Sequence, residues 1–168
     1  MLGQFIEEVY LLASQARSEG EVPVASMILE KVDSTYRFLC SSTNRIVTQA
    51  DATSHAEMNC IKEACRIKKN ERLIDCIMIT TLEPCLMCTG AIILARLSRV
   101  YYFAPSMKGI GMSKIVNNPE LNKGLNHKTE LIFLEEEFPR ASQMISSFFL
   151  AKRQNIQNSL TDRASGKQ

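Results

Sequence analysis

The residues best suited to chemistry are one histidine, one glutamate and two cysteines in two short segments. His55 and Glu57 are two positions apart, and Cys85 and Cys88 are three apart directly after Pro84. One imidazole and two thiolates can hold zinc and leave its fourth position to water, as catalytic zinc sites do. The spacing therefore predicts one Zn²⁺ per subunit, held by His55, Cys85 and Cys88. Zinc makes water nucleophilic near neutral pH, and Glu57 is then the catalytic general acid–base and not a ligand.

Both segments are predicted to lie at helix starts. Pro84 suits the first turn of a helix, where a missing N–H costs nothing, and cysteines three apart then share one side. His55 must also lie at a helix start, because residues two apart in mid-helix point in nearly opposite directions and Glu57 would face away. Thr53 and Ser54 are good capping residues just before it. Two helix starts that face each other would bring the four side chains together.

The pattern H-x-E followed by P-C-x-x-C is the known signature of zinc nucleobase deaminases, so this prediction matches an existing motif. A C-x-x-C pair alone would also fit a redox site, but that interpretation leaves His55 and Glu57 unexplained. A structural four-ligand zinc would need one more ligand at suitable spacing. His127 lies in a separate predicted loop and is interpreted as a turn or surface residue. The other cysteines lie in apolar segments and are interpreted as core residues: Cys40, Cys60, Cys65 and Cys76.

Length and composition predict one globular domain. The chain has 168 residues, of which 45% are hydrophobic, so a core can form without disulfides. A net charge of +2 carries no nucleic-acid signature, and any RNA-binding face must be a local patch. No secretory signal or run of eighteen apolar residues is present, which predicts a cytoplasmic protein without membrane contact. We expect one domain over residues 1–157 and a polar, disordered tail over 158–168.

Hydrophobic spacing predicts alternating strands and helices after an opening helix and a hairpin. The predicted helices are residues 5–16 with Gly20 as the stop, a helix from Ser54, residues 84–95, and a last helix after Pro139. The predicted strands are residues 24–29, 36–40, 76–81, 100–103 and 129–134. Residues 41–53 and 104–128 are predicted to be loops. This alternation predicts an α/β fold, a three-layer α/β/α sandwich with a mixed sheet of roughly five strands.

Four segments resemble the bacterial tRNA-specific adenosine deaminases, over residues 4–157. They are GEVPV at residues 20–24, TLEPC through GA at 81–91, LNH at 125–127, and the closing FF at 148–149 with RQ at 153–154. The zinc motif is common to a wider superfamily, whereas LEP and the FF helix are narrower signals. The resemblance implies the cytidine deaminase-like fold, hydrolysis of adenosine to inosine at the anticodon wobble position A34, and a homodimer that binds the tRNA anticodon loop.

The resemblance also implies substrate-binding residues. The asparagine that corresponds to Asn44 holds the flipped base by its edge, whereas without the resemblance Asn44 would be interpreted as a turn residue. At the end of the last helix Phe149, Lys152 and Arg153 would stack on and clamp the anticodon loop. Core packing by both phenylalanines is the alternative there, and it applies most to Phe148.

Two departures from the family keep other functions open. Ala25-Ser26 replaces Gly-Ala, and Pro105-Ser106 replaces an Arg-Asp pair in a loop that borders the nucleotide in the family. The second departure favours the alternative of a free nucleobase or nucleotide deaminase of the guanine, cytosine or cytidylate type. A third hypothesis is a non-catalytic zinc-bearing RNA-binding subunit. Such subunits commonly lose the glutamate that Glu57 supplies.

Overall fold

A mixed five-stranded sheet forms the middle layer of the protein. The computed structural model describes residues 2–107 and 109–164. The strands lie in the spatial order β2-β1-β3-β4-β5. The pairs β1–β2 and β1–β3 are antiparallel, and β3–β4 and β4–β5 are parallel. The strands are β1 (Ala25–Val32), β2 (Thr35–Thr43), β3 (Cys76–Leu82), β4 (Arg99–Ala104) and β5 (Glu130–Phe133).

Helices cover both faces of this sheet, so the predicted three-layer α/β/α architecture is confirmed. The helices are α1 (Gly3–Ser18), α2 (Ala56–Lys68), α3 (Leu86–Leu94), α4 (Met112–Val116), α5 (Pro119–Gly124) and α6 (Phe138–Ala164), with a 3₁₀ turn at Glu135–Glu137. One apolar core contains residues of α1, α6 and the sheet, and the other contains residues of α2, α3, α4 and the sheet.

The central strand β3 shows why the sheet is buried on both sides. Its sequence CIMITTL begins with four apolar residues without alternation, and Cys76 through Thr81 are all buried, as expected for a strand covered on both faces. Ile77 and Ile79 pack in the core on the α1 side, while Met78 between them packs in the core on the α2 side. The chain passes from β3 through α3 to the parallel neighbour β4, the strand–helix–strand unit that the sequence predicts.

Two segments contain more helix than the sequence pattern indicates. The predicted loop over residues 104–128 contains α4 and α5. The Asn118 side chain caps α5 by accepting from the N–H groups of Glu120 and Leu121, and Pro119 takes the first turn. At the end of the chain α6 continues to Ala164, so it includes residues 158–164 of the predicted tail. The rest of that prediction, residues 165–168, lies outside the described residues. Within the described part of the chain, no helix combines the length and hydropathy that a membrane crossing requires.

The sheet topology brings three segment ends to one edge. Ala25 at the start of β1 pairs with Thr43 at the end of β2, and its N–H donates to Thr81 Oγ1 near the end of β3. Leu82 at the end of β3 pairs with Ala104 at the end of β4. The segments that follow β2, β3 and β4 therefore all leave the sheet at the same edge, and these segments carry most of the predicted site residues.

Candidate metal centre

Two helix starts meet at this edge, with a ligand-type side chain at each N-cap. His55 is the N-cap of α2 with ψ of 152°, and Cys85 is the N-cap of α3 with ψ of 176°. Neither side chain caps its own helix, so the imidazole and the thiol are both free to turn toward each other. The predicted convergence of two helix starts is therefore observed.

Local details of both starts differ from the sequence prediction. Thr53 and Ser54 do not cap α2; the Ser54 hydroxyl instead bonds to the side chains of Gln49 and Asn59. That prediction was wrong because the extended N-cap conformation belongs to His55 itself. Pro84 lies one residue before the N-cap of α3 and not in its first turn. There its carbonyl accepts from the Met112 N–H at 2.9 Å, which ties the α4 start to the α3 start.

The distances between the three donor atoms match a tetrahedral zinc site. The two Sγ atoms of Cys85 and Cys88 are 3.7 Å apart. His55 Nδ1 lies 3.8 Å from Cys85 Sγ and 3.6 Å from Cys88 Sγ. With Zn–S of about 2.3 Å and Zn–N of about 2.0–2.1 Å, tetrahedral angles require about 3.8 Å between sulfurs and about 3.6 Å between sulfur and nitrogen. The residues therefore fit one zinc ion with three protein ligands.

The three donors already shift each other's proton affinity. Hydrogen bonds from Cys88 and His55 lower the pKa of Cys85 to about 3, and the Cys85 contact raises the pKa of His55. The pKa of Cys88 is raised, first because it donates to the Cys85 sulfur and then by burial. These contacts therefore favour negative charge on the Cys85 sulfur and positive charge on the His55 ring. A dication that replaces the shared protons would hold both sulfurs as thiolates.

Glu57 lies in the first turn of α2 and is only 3% exposed. Burial, as the largest cause, raises the pKa of its carboxyl group to about 7, and its neighbours include Cys88 and His55. Its Oε2 is the single fully buried side-chain oxygen or nitrogen without a hydrogen-bond partner among the described residues. Such an orphan costs about 1–3 kcal/mol. An oxygen held in this way beside three metal-type donors is suited to exchanging protons with a ligand there.

Asn44 directly follows β2 at the same sheet edge. Its backbone N–H donates to the Val24 carbonyl at 2.9 Å, and its side-chain Nδ2 donates to Glu21 Oε2 at 3.0 Å. The next residue, Arg45, donates its N–H to the carbonyl of Ser54, which precedes His55. The structure therefore places Asn44 next to the segment that positions the imidazole.

The remaining predicted contacts lie on α6. Phe148 is buried, whereas Phe149 is 41% exposed and Lys152 and Arg153 are exposed. Lys152 Nζ lies 5.7 Å from the centre of the Phe148 ring. Among the described residues, no hydrogen bond or ion pair links this group to the three donors. His127 is also separate from them, because its Nε2 donates to the Leu97 carbonyl at 2.9 Å.

Sequence reasoning missed Glu83, a buried carboxylate that holds the loop after β4 against the start of α3. Its Oε2 accepts from the Ser106 N–H and its Oε1 from the Ser113 N–H, each at 2.8 Å. A Cβ on Gly111 would lie 2.4 Å from the Glu83 carboxyl. The one sequence signal for Glu83 was its place as an acidic residue between a buried strand and Pro84. Since Glu83 holds the loop through backbone N–H groups, this anchoring does not depend on the side-chain types at positions 105 and 106.

We predict that Gly111→Ala destabilises the protein by about 1–3 kcal/mol, because the methyl group displaces the Glu83 carboxylate from its two N–H donors. Urea unfolding provides the measurement. Gly124→Ala is the matched control, since no atom lies within 4 Å of the position that its methyl group would take. Equal free energies of unfolding for the two variants would contradict this account of Gly111.

We also predict that the zinc content of variants distinguishes the metal ligands from the Glu57 carboxylate. Cys85→Ala and His55→Ala should each lose bound zinc, because two protein donors remain, whereas Glu57→Ala should retain about one zinc per chain. Mass spectrometry of the dialysed proteins measures the metal, and circular dichroism monitors the fold. Loss of zinc from folded Glu57→Ala would show that Glu57 is a ligand.

Comparisons with known proteins agree with this centre. Residues 2–104 match the family model for the cytidine and deoxycytidylate deaminase zinc-binding region. The chain is 36% identical over 155 residues to the tRNA-specific adenosine deaminase of Aquifex aeolicus, covering 90% of this chain and 96% of that one. The enzyme of the same name from Bacillus subtilis is 33% identical, with 86% of each chain covered.

Two solved structures are also similar. One, from a study of A-to-I editing by tRNA:A34 deaminases, has a TM-score of 0.71 and 30% identity over 84% of this chain and 99% of that chain. A Bacillus subtilis guanine deaminase has a TM-score of 0.55 and 33% identity over 61% and 64% of the two chains. The matches span most of the length of the tRNA-specific adenosine deaminases, and the three donor residues lie where the motif predicts them. This chain therefore belongs to the zinc-dependent deaminase family and, within it, to the tRNA-specific adenosine deaminases.

Proposed function

We propose that the protein hydrolyses adenosine to inosine at the wobble position, A34, of a tRNA. The main support for this reaction is the convergence of the His55, Cys85 and Cys88 donor atoms. Beside them lies the Glu57 oxygen that has no hydrogen-bond partner among the described residues. The substrate is supported by relatives named for tRNA, which match nearly along their whole length.

In this proposal the chain's own groups position water and move its protons. Zinc, when held by the three donors, acts as a Lewis acid that makes water nucleophilic near neutral pH. Glu57 takes a proton from the water that attacks C6 and returns it to ring N1. It then carries the proton of the new hydroxyl to the departing amino group. The C6–N6 bond breaks, and the products are inosine and ammonia.

Substrate binding is proposed at two places. Asn44 would hydrogen-bond to the flipped nucleoside, because it follows β2 at the same edge of the sheet as the three metal-binding side chains. Phe149, Lys152 and Arg153 would contact the anticodon loop. Phe149 supports this role by exposing 41% of its surface while its neighbour Phe148 is buried. An exposed ring can stack on a base, and two adjacent cations can neutralise phosphates.

We predict that purified protein with zinc converts A34 of a tRNA to inosine, and that Glu57→Gln lowers the rate by about 10²–10⁴-fold because proton transfer is lost. Inosine is read as guanosine when the product is reverse transcribed and sequenced. The same preparations are assayed with guanine, cytosine and cytidylate, because the loop with Pro105-Ser106 favours that alternative. Ammonia release from one of these, without inosine in tRNA, would replace the proposed substrate. Full activity of Glu57→Gln would contradict the catalytic role.

A homodimer is also proposed, and α3 offers a surface for it. Leu86 and Leu94 are eight residues apart, so they lie on one face of the helix, and they are 58% and 69% exposed. Gly90 lies between them on the same face and would let a partner helix approach. Exposed apolar side chains on one face of a helix make that face a candidate for the interface. We also propose a cytoplasmic location, because a tRNA-modifying enzyme must meet its substrate there.

We predict that the protein sediments at twice its chain mass of 18.9 kDa, and that the double variant Leu86→Lys/Leu94→Lys sediments as a monomer because two charges from each subunit would be buried in the interface. Analytical ultracentrifugation measures both masses. Leu11→Lys, an exposed position on α1, is the control and should remain dimeric. A dimeric double variant would exclude this face as the interface.

A further inference from the structure

A third buried carboxylate, Glu21, lies behind Asn44. Gly20 has a left-handed φ of 82°, which ends α1 and lets the Glu21 N–H donate back to the Ala16 carbonyl at 2.9 Å. The Glu21 side chain thereby turns inward and is 0% exposed. None of the ion pairs found among residues 2–107 and 109–164 involves it, so a cation does not compensate for its burial.

Four hydrogen bonds stabilise this carboxylate instead. Oε1 accepts from the backbone N–H groups of Val47 and Thr48 at 2.9 and 2.7 Å, and from the Thr48 hydroxyl at 3.0 Å. Oε2 accepts from Asn44 Nδ2 at 3.0 Å. Burial of an acidic group is tolerated when hydrogen bonds replace water in this way. Glu21 therefore joins the turn after β2 to the Asn44 side chain.

The chemistry of a carboxylate decides which end of the Asn44 amide faces it. A carboxylate oxygen accepts hydrogen bonds, so only the NH₂ end of the amide can bind to it. A flipped amide would place its oxygen against Glu21 Oε2, and two acceptors would repel. The Asn44 oxygen must then point away from Glu21. That oxygen has no hydrogen bond among the described residues, yet it is not a buried orphan like Glu57 Oε2, so solvent reaches it.

We infer that Glu21 is a positioning residue, which fixes the Asn44 amide so that its oxygen is presented as an acceptor to a proton-bearing group of the flipped nucleoside. This inference rests on the proposed function, because it needs Asn44 to contact the nucleotide. In the sequence Glu21 is notable only as part of the GEVPV segment, which does not indicate a role for it. The role follows from its buried position between α1 and β1, where hydrogen-bond donors of the turn after β2 surround its carboxylate.

The test is Glu21→Gln, which replaces one acceptor oxygen by an NH₂ group. If the glutamine oxygen keeps the N–H groups of Val47 and Thr48, its NH₂ faces Asn44 and forces that amide to flip. We expect kcat for A34 deamination to fall at least tenfold. We expect KM for tRNA to stay within threefold, since contacts to the phosphate backbone supply most of the affinity. Zinc content should not change.

The control is Glu30→Gln, the same substitution at a carboxylate that bonds to Arg37 and Lys68 at the opposite end of β1. It should reduce stability without reducing kcat. A folded, zinc-loaded Glu21→Gln enzyme with wild-type kcat would overturn the positioning role. A wild-type protein that forms no inosine in the same assay would instead overturn the proposed function, and the assignment of Glu21 with it.

An exchanged pair tests the inference even if Glu21→Gln alone does not fold. In Glu21→Gln/Asn44→Asp the glutamine NH₂ donates to one aspartate oxygen, and the other oxygen takes the place of the Asn44 acceptor. We expect this double variant to fold, bind zinc and recover kcat to within tenfold of wild type. A folded, zinc-loaded double variant with a kcat more than tenfold below wild type would overturn the role of the acceptor oxygen.

Discussion

The whole site depends on one constraint, the convergence of two helix N-termini at a single edge of the sheet. The antiparallel pairing of β1 with both β2 and β3 brings the end of β2 and the end of β3 together. Helix α3 begins shortly after β3. The loop between β2 and α2 returns to the same edge, where the Arg45 N–H donates to the carbonyl of Ser54 directly before His55. Because His55 and Cys85 are the N-cap residues, their side chains lie outside the helices and meet. Positive helix ends also favour thiolates there.

Three buried carboxylates surround this edge, and their partners distinguish their roles. Glu83 accepts from two backbone N–H groups, which fix the loop after β4. Glu21 accepts from two backbone N–H groups and two side-chain donors, which fix the turn after β2 and the Asn44 amide. Glu57 keeps one oxygen without a partner among the described residues. Satisfied carboxylates stabilise the loops around the centre, whereas an unsatisfied one retains the capacity to exchange protons. In the proposed mechanism the same type of residue both supports the loops around the centre and moves protons within it.

Much of this arrangement could be predicted from the sequence because its signals are local. Spacing places Cys85 and Cys88 on one side of a helix, and the H-x-E pattern requires a helix start at His55. The unbroken apolar run in β3 predicts a central strand. The exact first residue of a helix was harder to predict from the sequence. Whether His55 or Ser54 is the N-cap of α2 depends on contacts of the imidazole that exist only in the folded protein.

The roles of Glu21 and Glu83 could not be predicted because they depend on contacts distant in sequence. Glu83 binds N–H groups 23 and 30 positions away, and Glu21 binds the Asn44 side chain 23 positions away. Neither has a periodic pattern or a recognisable ligand spacing. Acidic residues between buried elements were the one available sign, and only the sheet topology shows what they hold.

X-ray absorption at the zinc edge of the purified protein tests the central claim most directly. The account predicts two sulfur ligands at about 2.3 Å, with one nitrogen and one further light atom at about 2.0–2.1 Å. A shell of four sulfurs, or of light atoms alone, would contradict a centre built from His55, Cys85 and Cys88.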